Sequence, residues 1–150
     1  MEETPQKLSL TEKIKALLVK YREQILYLIF GGLTTVLNWG VYFLCTRVLG
    51  WEELLSNGLA WVAGVLFAFF TNKLFVFESK SWKPEVALPE FGEFVGARLL
   101  SLLVDEGFML LTVKILHWPD LPMKILSNVI VIIINYFFSK LIIFRKKEKE

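Results

Sequence analysis

The stretch ILYLIFGGLTTVLNWGVYFLCTRVL, residues Ile25 to Leu49, has Arg47 as its one charged side chain, close to its end. It exceeds the roughly 20 apolar residues that carry a helix across about 30 Å of hydrocarbon. Three more runs of similar length follow, Leu54 to Phe77, Phe94 to Leu116 and Leu121 to Phe144. The chain therefore reads as an all-α integral membrane protein with four transmembrane helices. Its 55% hydrophobic content and mean hydropathy of +0.52 are above what a soluble domain usually carries.

Charge placement gives the orientation. Lys7, Lys13, Lys15, Lys20 and Arg22 precede the first span, Lys80 and Lys83 lie between the second and third, and Arg145, Lys146, Lys147 and Lys149 follow the fourth. The other two connections hold mainly Glu52, Glu53 and Asp120. By the positive-inside rule both termini and the central loop of this multi-pass protein are cytoplasmic. The basic bias serves orientation, so nucleic acid is not needed as a partner. The first apolar run is too long for a removable signal peptide and is followed by further spans. Leu10, Ile14, Leu17, Leu18 and Tyr21 recur at helical spacing ahead of it, with Ser9 or Thr11 as N-cap. That pattern predicts an amphipathic interfacial helix. The expected layout is an amphipathic segment over 1–23, a membrane domain over 24–144 and a basic tail over 145–150. The membrane domain divides into a first repeat over 24–77, a loop over 78–92 and a second repeat over 93–144.

The division rests on self-similarity. A shift of 67 residues pairs Gly40 with Gly107, Trp51 with Trp118, Val62 with Val129, Phe70 with Phe137, Lys73 with Lys140 and Phe77 with Phe144, with no gap. Each half crosses twice, so both insert with the same orientation and form parallel helix-hairpin repeats about an axis along the membrane normal. Trp51 and Trp118 then fall at the outer interface and Trp82 at the inner one.

Ionised groups inside a membrane require a partner, water or a function. Lys73, Lys140 and Arg98 are expected a few residues inside the cytoplasmic ends of three helices. Together they form a shallow cationic site suited to an anionic lipid head, with Asn72 and Ser139 beside the lysines. The alternative for each lysine is snorkelling to interfacial water. Ser101 and Asp105 share a helical face with Arg98, and Asp105 pairs by the repeat with Asn38, near Thr34 and Thr35. A polar path leads inward through Thr34, Thr35, Asn38, Ser101, Asp105 and Asn135. Asp105 itself is a salt-bridge partner of Arg98 or a lysine, a neutral acid, or a proton carrier. Gly107 suits close helix approach, while Cys45 has no partner for a disulfide and reads as packing.

The run YLIFGGLTTVLNWGVYFL, the ending TNKLFVF, the helix from Arg98 to Asp105 and the closing NYFFSKLIIF resemble the GtrA-like family of small four-helix bacterial membrane proteins. The resemblance spans Ile25 to Phe144, and Ser139 departs from the Asn common at that position. It implies a flippase role in the bacterial cytoplasmic membrane, moving a polyprenyl-phosphate-linked sugar from the cytoplasmic to the outer leaflet for cell-envelope polysaccharide synthesis or teichoic acid glycosylation. The partners so implied are that lipid or bare polyprenyl phosphate, membrane lipids and membrane glycosyltransferases. Four helices enclose little volume, which suggests a homo-oligomer.

No catalytic pairing, metal-ligand spacing or phosphate-cradling glycine loop occurs, and His117 sits beside Trp118 as an interfacial residue. The reading is a non-enzyme without cofactor or metal. Two other functions remain open: an anchor that recruits a glycosyltransferase through the segment Ser79 to Glu93, and a small proton-coupled exporter using Asp105. The three cations disfavour a cationic cargo for the latter.

Overall fold

The computed structural model describes residues 9–145, and all regular structure among them is helical. The tail beyond Arg145 and the first eight residues, Lys7 included, lie outside the described residues. Helix α1 covers Leu10–Lys20 and starts at a capping box, in which Ser9 and Glu12 satisfy each other's backbone N–H. The chain breaks at Tyr21 and continues as α2, Arg22–Phe43, then α3, Glu53–Thr71, α4, Pro84–Met109, and α5, Asp120–Phe138. Proline at the first turn suits the start of α4, because that N–H has no intrahelical acceptor. Helix α4 thus begins at Pro84 rather than near Phe94, and it absorbs most of the expected loop over 78–92.

Each of the four long helices ends in a widened π turn, at Leu44–Val48, Asn72–Val76, Leu110–Ile115 and Ser139–Ile143. The turns recur at the 67-residue spacing, and so do their closing bonds. The N–H of Trp51 reaches the carbonyl of Cys45 at 2.9 Å, and that of Trp118 reaches Thr112 at 3.0 Å. Gly50 follows the first turn at φ +68°. Its counterpart His117 adopts φ +55°, a left-handed conformation that costs a non-glycine residue on the order of 1 kcal/mol.

Three stretches, Arg22–Val48, Glu53–Val76 and Asp120–Ile143, are long and apolar enough to cross a membrane. Helix α4 is equally long but carries Glu90, Glu93, Arg98, Asp105 and Glu106. Helix α2 packs along α3, and α4 along α5. Small residues permit this: α3 buries Ser56, Ala60, Gly64 and Ala68 at four-residue steps, and Gly64 lies against Thr34 and Asn38. Buried Cys45 and Ala60 in the first hairpin match Thr112 and Ser127 in the second, at the same spacing.

The hairpins join at one end only, here called the lysine end, through an aromatic core drawn from all four long helices. Tyr27, Phe69, Phe77, Phe94, Tyr136 and Phe144 supply its rings, and each contact has a counterpart at the repeat spacing. Tyr27 lies 5.3 Å from Tyr136 as Phe94 lies 5.6 Å from Phe69, and Tyr27–Phe77 at 6.3 Å matches Phe94–Phe144 at 6.0 Å. Phe77 and its own mate Phe144 stack at 5.5 Å in the centre. These separations fall in the favourable range for aromatic pairs.

Relieving the left-handed strain gives a direct check. His117→Gly should stabilise the fold by a few tenths of a kcal/mol, up to about 0.6, after the entropy glycine adds to the unfolded chain. The readout is the temperature at which detergent-solubilised protein loses monodispersity; it should rise for His117→Gly and fall for Gly50→Val.

Candidate functional site

The four ion pairs among the described residues differ mainly in how exposed their side chains are. At the end of α3, Lys73 is fully buried and its ammonium meets the Glu90 carboxylate of α4. Ser79 Oγ accepts from Lys73 at 2.9 Å and donates to Glu90 at 2.7 Å. The Trp82 ring covers the ammonium at 5.1 Å and stacks on Phe70 at 5.6 Å. Every strong donor and acceptor in this cluster is used, which is what a buried charge demands.

Lys140, at the end of α5, meets Glu23 of α2 at 3.0 Å, with 42% and 33% of the two side chains exposed. The Tyr136 hydroxyl donates to Glu23 at 2.6 Å and accepts from Lys140 at 3.3 Å. Glu23 and Glu90 are themselves 67 residues apart. Each half of the chain therefore closes its last helix onto the first helix of the other half. Next to this pair, Arg22 meets Glu78 at 3.0 Å with both side chains well exposed.

Arg98 is the exception. Its guanidinium lies 5.1 Å from the Phe94 ring, and no carboxylate among the described residues pairs with it. It lines a cleft of ≈ 190 Å³ together with Thr34, Thr35 and Asn38 of α2 and with Trp61 and Gly64 of α3. The Thr34 and Thr35 hydroxyls donate to the carbonyls of Phe30 and Gly31, so their oxygens keep acceptor capacity while the Asn38 amide faces the cleft.

The expected meeting of Lys73, Arg98 and Lys140 at one open site is thus replaced by two neutralised lysines and one unpaired arginine. The sequence shows the cations but not which carboxylates fold back onto them. Asp105 is the salt-bridge partner of a lysine, one of the expected alternatives: it bonds Lys124 and Ser127 of α5, each at 2.6 Å, and does not meet Arg98. Asn38 faces Gly64 across its own hairpin instead of standing opposite Asp105. Ser101 donates to the Arg98 carbonyl at 2.9 Å and accepts from Asn135 at 3.1 Å, so these two tie α4 to α5. Asn72 donates to the Ala68 carbonyl at 2.6 Å, its oxygen has no partner among the described residues, and Ser139 is buried.

Glu23, Ser79, Glu90, Lys124 and Ser127 are the participants the sequence analysis missed. The signal for the two glutamates was present, because the shift that pairs Lys73 with Lys140 also pairs Glu23 with Glu90. Both lie just outside the repeats as drawn from the apolar runs, at 24–77 and 93–144.

Residues 26–144 match the family model described as GtrA/DPMS, transmembrane domain. The chain belongs to the GtrA/DPMS transmembrane-domain family. Among its relatives is the cell wall teichoic acid glycosylation protein GtcA of Listeria monocytogenes serovar 1/2a, 47% identical over 83% of this chain and 86% of the relative. The uncharacterized membrane protein YwcD of Bacillus subtilis is 33% identical over 83% of this chain and 98% of its own length. The bactoprenol-linked glucose translocase of Salmonella phage P22 is 24% identical over 79% of this chain and 92% of its own. No solved structure matches. In this GtrA/DPMS chain, the Lys73 cluster and the Arg98 cleft both lie within the matched region.

A double substitution separates pairing from burial at Lys73. Lys73→Met alone strands the Glu90 carboxylate and should cost about 3–5 kcal/mol, whereas Lys73→Met with Glu90→Leu should recover most of that loss. Melting midpoints of the purified variants in one detergent provide the comparison.

Proposed function

We propose that this chain moves a polyprenyl-phosphate-linked sugar from the cytoplasmic to the outer leaflet of the bacterial cytoplasmic membrane, for glycosylation of teichoic acid or another envelope polysaccharide. The observation that carries this reading is Arg98, a guanidinium without a carboxylate partner among the described residues, facing a cleft lined by Thr34, Thr35 and Asn38. A lone cation in hydrocarbon is unfavourable by several kcal/mol, and an anion that visits the cleft removes that cost. Guanidinium matches phosphate through paired parallel hydrogen bonds. Asn38 supplies donors and acceptors for a sugar hydroxyl, while an isoprenoid tail stays in lipid. The names of the Listeria and phage relatives agree with such a cargo.

In this reading α4 is the fourth membrane-crossing helix. Its Glu90 and Asp105 are neutralised by Lys73 and Lys124, whereas Arg98 has no carboxylate partner among the described residues and is open to the cargo. The two hairpins are parallel repeats about an axis along the membrane normal, supported by π turns, aromatic contacts and ion pairs that recur at one spacing. Helix α1 lies on the cytoplasmic interface, with Leu10, Ile14, Leu17 and Leu18 exposed among Lys13, Lys15 and Lys20. The lysine end then faces the cytoplasm, and the hairpins are closed there. Lys124 already satisfies Asp105, so net movement is drawn by consumption of the sugar at the outer face rather than by protons at this carboxylate.

Recruitment of a membrane glycosyltransferase is the second reading. It draws on a charged cavity of ≈ 800 Å³ at the lysine end, lined in part by Lys80, Lys83, Glu85, Glu93 and Arg145. Reconstitution without any transferase separates the two. Purified protein in liposomes should equilibrate radiolabelled polyprenyl-phosphate-linked glucose between leaflets, Arg98→Ala should slow this at least about tenfold, and Arg98→Lys should fall between. Equal rates for Arg98→Ala would remove the arginine from the mechanism. A wild-type protein that moves no lipid would favour recruitment.

A further inference from the structure

The two ion pairs that close the lysine end are equivalent by the repeat but unlike in their surroundings. On the α3/α4 side, Lys73 is 0% exposed, held by Ser79 beneath Trp82, and the neighbouring rings are Phe69 and Phe94. On the α2/α5 side, Lys140 and Glu23 are 42% and 33% exposed, and the rings that replace those phenylalanines are Tyr136 and Tyr27. One seam is dry and fully bonded. The other is partly exposed, lined by hydroxyls, and held by a single carboxylate that is itself a third exposed.

We infer that the α2/α5 seam is the cytoplasmic mouth for the lipid, and that Glu23 occupies the place on Lys140 and Tyr136 that the incoming phosphate takes. This rests on the flippase reading above and names where the cargo enters. The chemistry is an exchange of anions: the phosphate replaces the Glu23 carboxylate as acceptor from Lys140 and from the Tyr136 hydroxyl, and Glu23 is released to water. The geometry favours the exchange here, because an exposed ion pair contributes little and is readily displaced, whereas parting Lys73 from Glu90 would strand buried charge. Tyr27 lies 5.3 Å from Tyr136 and belongs to the aromatic core that also contains Phe94, whose face carries Arg98. Moving the two tyrosines aside would join the mouth to the Arg98 cleft. The Arg22–Glu78 pair borders the same seam, and its exposure leaves it free to follow.

Binding, unlike transport, tests the inference without a working cycle. Full-length protein in nanodiscs of neutral lipid is titrated with polyprenyl phosphate, with inorganic phosphate as the comparison ligand. Glu23→Gln removes the competing carboxylate and should bind polyprenyl phosphate about two- to fivefold tighter than wild type. Lys140→Gln should bind it several-fold more weakly, and Lys140→Arg should restore binding. Unchanged or weaker binding by Glu23→Gln, or wild-type affinity in Lys140→Gln, would overturn the inference. If that happened while Arg98→Ala still abolished binding, the flippase reading would survive without this mouth. Wild-type protein that binds no polyprenyl phosphate would remove both, and displacement by millimolar inorganic phosphate would assign Lys140 to a soluble anion, against the inference.

Discussion

The buried ammonium of Lys73 and the carboxylate that answers it set the terms for the rest of the molecule. An uncompensated charge at that depth would cost about 3–5 kcal/mol, a large share of what a fold holds in reserve, and Glu90, Ser79 and Trp82 together remove that cost where α3 ends. Glu90 lies two turns into α4, and the pair therefore fixes the start of the second hairpin against the end of the first. The aromatic core then fills the space beside it, and the remaining contacts are between small residues within each hairpin.

This arrangement divides the bundle. The lysine end is tied by two long-range ion pairs and interlocked rings, while toward the tryptophans each hairpin packs chiefly on itself. A cleft lined by Arg98, which has no carboxylate partner among the described residues, lies beside the tied region. Near-equivalence of the two halves supplies the scaffold, and the differences between them supply direction: Gly31 stands where Arg98 does, Tyr27 where Phe94 does, and Ala68 where Asn135 does.

Much of this was legible in the sequence. The apolar runs gave the helices, and the 67-residue shift gave the matched lysines and the two tryptophans. Arg98 was legible as a membrane cation grouped with those lysines, and Asn38 and both threonines as part of a separate polar path. Ion-pair partners were not legible, because they depend on which helix faces approach each other and because Glu23 and Glu90 lie in segments that look like flanks. A salt bridge from Asp105 to Arg98 or a lysine was legible from its place in an apolar run, but not which cation; Lys124 on α5 makes the contact. The long α4 was hidden for a related reason: its first turns are too polar to read as a span, and they are held by Lys73 rather than by hydrophobicity.

The central claim is that a lipid phosphate is taken up at Arg98 between α2 and α3. A polyprenyl phosphate bearing a diazirine on the carbon nearest the phosphate, photolysed with the protein in bilayers and followed by peptide mapping, tests this most directly. The account predicts labelling of the segment from Thr34 to Asn38 and of the peptide containing Arg98, competed by unlabelled polyprenyl phosphate. Labelling confined to the connection between Glu78 and Lys83, with none on α2, would contradict it.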